Sequence, residues 1–108
     1  MKTLIISTSG RTDLIAWDKL VRIEASSNYS KIYTADGKVL FAAKVLKKLE
    51  AELGHEHFVR THKTHLVNKE FIHQYIHGQH PMIVLSNGEI VPVSRSQKNK
   101  LRVLKWCA

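Results

Sequence analysis

Turn signals recur so closely along this chain that only short elements fit between them, and this punctuation limits the fold more than any other feature. Ser9-Gly10-Arg11-Thr12-Asp13, Asp36-Gly37 and Ser86-Asn87-Gly88-Glu89 are clusters of residues that accept tight turns. The pieces between them are rich in β-branched and aromatic residues, or alternate apolar with polar as a half-buried strand requires. Thr3 to Thr8, Leu20 to Ala25, Lys31 to Thr34, Lys38 to Phe41, Phe71 to Ile76, Met82 to Leu85 and Ile90 to Val93 read as strands. Trp17-Asp18-Lys19 reads as a tight connection after Ile15-Ala16. Only two segments have helical spacing. Lys44 to Leu53 places Val45, Leu46, Leu49 and Leu53 on one face and stops at Gly54. The second opens at Ser94, with Gln97 three residues on as a capping-box pattern, and runs through Leu101 and Leu104. The expectation is a predominantly β domain, a description that a small barrel or sandwich would also satisfy.

At 108 residues and 44% hydrophobic content the chain supports one core, so residues 1–108 are read as a single domain. No run of about 18 apolar residues is present to span a bilayer, and the start Met1-Lys2-Thr3-Leu4 turns polar too soon for a signal peptide. A cytoplasmic protein without membrane contact is expected. The lone Cys107 excludes an internal disulfide. His62-x-x-His65 and His55-x-His57 invite a metal reading, but no cysteine or carboxylate cluster completes a ligand set, so no metal or other cofactor is expected. Catalysis is not expected either, since the chain has no glycine-rich phosphate loop and no acidic motif arranged for proton transfer.

The net charge is +8 and lies mostly in the second half. From His57 onward eight Lys or Arg face only Glu70 and Glu89, whereas residues 1–56 carry nine basic against seven acidic residues. A polyanion is the favoured partner for such a half, because neutralising phosphates releases condensed counterions. Within it, Phe58-Val59-Arg60-Thr61-His62-Lys63-Thr64-His65-Leu66-Val67-Asn68 and Val91-Pro92-Val93-Ser94-Arg95 interleave anchoring apolar residues with long donors. That combination holds hydrogen-bond donors rigidly against an anionic surface.

Together these segments resemble the LytTR family of bacterial transcription regulators, whose DNA-binding domain has a Phe-Arg-His segment ending in Val-Asn and a later Pro-Val-Ser-Arg segment. Leu20-Val21-Arg22-Ile23-Glu24-Ala25 with Asn28-Tyr29 is similar to the family's first conserved strand and loop, and Leu46-Lys47-Lys48-Leu49-Glu50 to its internal helix. The likeness runs from roughly Ile15 to Leu104, in the family's order. It implies an elongated arrangement of three small antiparallel sheets, about ten short strands, with one or two short helices. It also implies double-stranded DNA as partner, with a second copy on an adjacent direct repeat, and a role as a response regulator output domain. Neither an acidic phosphoacceptor cluster nor a hydrophobic span precedes the domain, so a free-standing or an excised domain is expected.

Several residues are candidates for contact. Arg95 offers a planar fork suited to guanine O6 and N7 or to a phosphate, and the family's arginine at this position contacts DNA. Ser94 is either a helix cap or a phosphate donor. Lys98 and Arg102, one and two turns beyond Arg95, form either a basic ridge or a solvated face. Lys63 stands where the family carries a DNA-contacting asparagine, and a lysine cannot reproduce an amide's paired donor and acceptor. Arg60 and His62 either contact DNA or bond the loops around them. The loop Ser26-Ser27-Asn28-Tyr29-Ser30-Lys31 offers Asn28, Ser30 and Lys31, in the element the family inserts into a major groove. Asn68 is read as fixing a turn through its side chain. A different class of function is a small module that binds a protein or ligand and antagonises a full-length regulator. RNA binding on a β surface is weaker, because no pair of exposed aromatics on adjacent strands is evident.

Overall fold

The computed structural model describes residues 2–102, except for the side chains of Asn99, Lys100 and Arg102. Ten strands and two helices follow in order: β1 (Thr3–Thr8), β2 (Arg11–Ala16), β3 (Leu20–Ser26), β4 (Tyr29–Thr34), β5 (Val39–Ala42), α1 (Leu46–Leu53), β6 (Phe58–His62), β7 (His65–Asn68), β8 (Ile72–Ile76), β9 (Met82–Leu85), β10 (Ile90–Pro92) and α2 (Arg95–Arg102). Every strand pairing is antiparallel, in a hairpin of β1 and β2, a five-stranded sheet ordered β5-β4-β3-β7-β6, and a three-stranded sheet ordered β10-β9-β8. The molecule is elongated, 45 × 28 × 23 Å. Among the described residues no helix is long and apolar enough to cross a membrane.

Two hydrophobic clusters hold these layers together. The first lies between one face of the five-stranded sheet, the β1–β2 hairpin and α1, and contains Leu4, Ile6, Leu20, Ile23, Ile32, Leu49, Phe58 and Leu66. The second joins the opposite face of the same sheet to the three-stranded sheet and α2, through Val21, Val59, Val67, Ile83, Leu85, Val91 and Leu101. Neighbours in sequence, Phe58 with Val59 and Leu66 with Val67, therefore enter opposite cores, because successive strand residues point to opposite faces. A strand covered on both faces reads as a continuous apolar run. Each such large side chain contributes roughly 2 kcal/mol when removed from water. In β3 the register with β4 shifts between Leu20 and Arg22, and Leu20 and Val21 enter different clusters.

The local expectations hold with a few corrections. Only Ser9-Gly10 forms the first turn, since Arg11 to Asp13 already belong to β2. Helix α1 begins at Leu46, not Lys44; Leu46, Leu49 and Leu53 are buried, but Val45 caps the helix in extended backbone and is half exposed. Gly54 ends it at φ 74°, with its N–H on the Glu50 carbonyl at 2.8 Å. Asn68 is buried and ties three segments: Nδ2 donates to the Leu20 carbonyl at 2.8 Å and the Trp17 carbonyl at 3.1 Å, and Oδ1 accepts the Glu70 N–H at 3.0 Å. The helix expected to reach Leu104 is described only to Arg102; Leu104 lies outside the described residues.

Candidate nucleic-acid interface

Three connections distant in sequence meet along one side of the five-stranded sheet: the β3–β4 turn at Ser27-Asn28, the β6–β7 turn at Lys63-Thr64, and the step from β10 into α2 at Val93-Ser94. Two backbone bonds join them. The Ala25 N–H donates to the Thr64 carbonyl at 2.8 Å, and the Ser94 N–H to the Thr61 carbonyl at 2.9 Å. Sequence reasoning named all three segments, but not that their backbones are bonded to one another.

The middle turn is held from inside. The Arg60 Nε donates to the His62 carbonyl at 2.8 Å and a terminal nitrogen to the Lys63 carbonyl at 2.6 Å, while the other terminal nitrogen pairs with the Glu50 carboxylate. Glu50 also meets His55 Nε2 at 2.6 Å. Burial raises the Glu50 pKa, yet the bonds from His55 and Arg60 outweigh it and hold the carboxyl below its ordinary range. Arg60, expected among the DNA contacts, thus lies opposite Leu66 on the α1 side of the sheet and is bonded through all three nitrogens. The clamp leaves Lys63 exposed at the tip.

His62 is also committed to the turn. Its Nδ1 accepts the Thr64 N–H at 3.3 Å and lies 2.9 Å from Thr64 Oγ1, which in turn is 2.8 Å from His65 Nδ1. The links continue from His65 Nε2 to Glu24 at 3.3 Å, from Glu24 to Arg22 at 3.0 Å, and from Arg22 to Glu89 at 3.1 Å in the β9–β10 turn. Arg22 also stacks over the Tyr33 ring at 3.7 Å. Burial pushes the His65 pKa down more than Glu24 raises it, with Arg22 and His62 adding to the decrease. The Arg22 bond holds Glu89 below the usual carboxylate range.

At the first tip the expected six-residue loop contracts to two residues, because Ser26 pairs with Tyr29 and β4 begins there. Ser27 sits at φ 58°, in the left-handed region that an L-residue enters at a cost. Asn28 is exposed at the tip. Ser30 is fully buried, and its hydroxyl donates to the Lys44 carbonyl at 2.7 Å, so strand alternation removes it from the contact set. Lys31, on the opposite face, remains half exposed.

Arg95 opens α2 with an exposed side chain, and Lys98 is half exposed. Neither forms an ion pair among the described residues, and nor does Lys63. The expected capping box does not close. Ser94 Oγ meets Ser96 Oγ at 3.1 Å, and Gln97 Oε1 is buried without a partner. The Arg102 side chain lies outside the described residues. An open cleft between the second and third tips is lined by Lys47, Lys63, Ser94 and Ser96. Lys47 and Glu50 were missed as parts of this region; their signal was the polar face of α1, three residues apart and opposite the leucines. Among the described residues no three His, Cys, Asp or Glu side chains gather to hold a metal ion.

Known proteins share this design. The solved LytTr DNA-binding domain of a Bacillus cereus protein described as a methyl-accepting/DNA response regulator superposes with a TM-score of 0.81 over 94% of each chain at 21% identity, a likeness of fold. The CO-responsive transcriptional regulator RcoM of Rhodospirillum rubrum is 26% identical over 96 residues, which are 86% of this chain and 40% of that protein. The chain thus spans about two fifths of the length of that relative. The family model of the LytTr DNA-binding domain matches residues 10–106. The chain belongs to the LytTr family of DNA-binding domains, a non-catalytic family found in transcription and response regulators.

Proposed function

We propose that residues 1–108 act as one unit that binds double-stranded DNA at specific sequences and regulates transcription, with Arg95 reading bases and the Asn28 tip entering the next major groove. Lys63, Lys98, Lys31 and Arg102 neutralise phosphates, Ser94 aids through its place before α2, and Arg60 and His62 act indirectly by fixing the turn that carries Lys63. Two copies bind adjacent direct repeats. The observation that carries this reading is that three distant connections converge while their cations Lys63 and Arg95 stay exposed and, among the described residues, outside ion pairs. A regulator among the relatives points the same way. Phosphate contacts position the protein and base contacts specify the site.

The test is selection of bound duplexes from a random pool at near-physiological salt. Enrichment of a repeated motif is the expected result. No enrichment, together with capture of a protein partner, would replace this reading by that of an antagonist module.

A further inference from the structure

The outer face of the five-stranded sheet is packed against the three-stranded sheet through Val59 of β6 and Val67 of β7, while on β4 and β5 it is only partly covered. On this part Phe41 is 54% and Val39 42% exposed. The Tyr29 ring lies 5.8 Å from the Phe41 ring, tilted by 52°. Lys31 is paired directly opposite Phe41 on the same face and forms no ion pair among the described residues. Sequence reasoning discounted a stacking surface for want of a pair of exposed aromatics on adjacent strands; the β4–β5 register brings an exposed Phe41 against a half-buried Tyr29.

An exposed Phe41 and a half-buried Tyr29 beside a cation suit unpaired bases. Each base offers a flat face that sheds water on stacking, and the phosphate between two bases needs a positive partner. Duplex bases are stacked on one another and cannot use such a platform. The acidic neighbour of Lys31, Glu24, is already paired with Arg22 at 3.0 Å, which reduces its repulsion of a phosphate. Tyr29 directly follows Asn28, which makes the platform continuous with the first tip of the candidate duplex interface. Its apolar rim, Val39 and Phe41, favours thymine methyl groups and deoxyribose over hydroxylated ribose.

We infer that this face binds single-stranded DNA, stacking one or two pyrimidines on Phe41 and Tyr29 with Lys31 on the intervening phosphate. The inference shares only Lys31 with the proposed duplex recognition, and a test made on the two rings separates the two. Fluorescence anisotropy of the whole chain with a thymine 12-mer, a uracil RNA 12-mer and a duplex is the measurement. Phe41→Ala or Tyr29→Ala is expected to weaken binding of the thymine strand about 5- to 100-fold and leave duplex binding unchanged. Arg95→Ala is expected to do the reverse. Phe41→Leu keeps the apolar contact and folding but removes the ring, and it too should lose the thymine strand; Phe41→Trp should retain it. Wild-type binding by Phe41→Leu, parallel loss of duplex and single strand, or tighter binding of the uracil strand would each overturn the assignment. So would sedimentation in which Phe41→Ala dissolves a dimer without touching strand binding.

Discussion

The β6–β7 turn and the start of α2 both present an arginine from a basic segment, and they use it in opposite ways. Arg60 is bonded to the His62 and Lys63 carbonyls and to Glu50, so its charge is consumed in shaping a turn. Arg95 stands exposed on a helix start tied down by the Ser94 N–H to the Thr61 carbonyl. One arginine builds and the other is presented. A cation near a proposed contact site therefore says little until its partners are known, and mutations should separate the two roles.

The largest expected effect falls on the builder. Arg60→Ala leaves two carbonyls without this donor and Glu50 with His55 alone, and is expected to cost about 3 kcal/mol of stability in urea denaturation. A loss below about 0.5 kcal/mol, in the range of a surface ion pair, would erase the distinction. Next comes the presented arginine. Arg95→Ala should leave stability unchanged and cost about 1–3 kcal/mol at a selected duplex, with little effect on random DNA. Equal loss on both DNAs would make Arg95 a phosphate contact only.

Acid should sharpen the contrast further. Glu50 and Glu89 have depressed pKa values in the folded state, so their stabilisation is complete above the ordinary value of 4.5 and is lost as pH falls through the folded values. His65 is depressed below 6.5, so the folded state loses stability relative to the unfolded one as pH drops beneath 6.5. Thermal melts should fall in two stages, and His65→Gln should remove the upper one; a flat melting temperature between about pH 7.5 and 5.5 would contradict the His65 direction. The smallest effect concerns the remaining tip. Ser27→Gly frees a left-handed position and should stabilise by a few tenths to about 1 kcal/mol, read by thermal melting.

Much of the architecture was legible in the sequence because strands and turns leave local marks. Alternation and turn residues located β1, β3, β4, β5 and β8 to β10, and the leucine spacing located α1. What stayed hidden depends on register or on distant partners. The clamp on Arg60 needs a carboxylate ten residues away on α1 and two carbonyls of the turn that follows it. Ser30 looked like loop because its segment is polar, yet a two-residue turn starts β4 one residue earlier and alternation buries it. The Ser94 and Gln97 spacing suggested a capping box, but the hydroxyl meets Ser96 instead. Tyr29 and Phe41 are twelve residues apart, and only the β4–β5 pairing brings their rings together.

The doubly covered strands have a consequence for how such a protein can change. In β3, β6 and β7 adjacent residues fill different cores, so a charged replacement at Phe58, Val59, Leu66 or Val67 harms one layer or the other. The residues at the three tips, Asn28 after β3, Lys63 after β6 and Arg95 after β10, fill neither. Recognition can therefore be rewritten at the tips, one residue at a time, while the strands that aim them tolerate almost nothing.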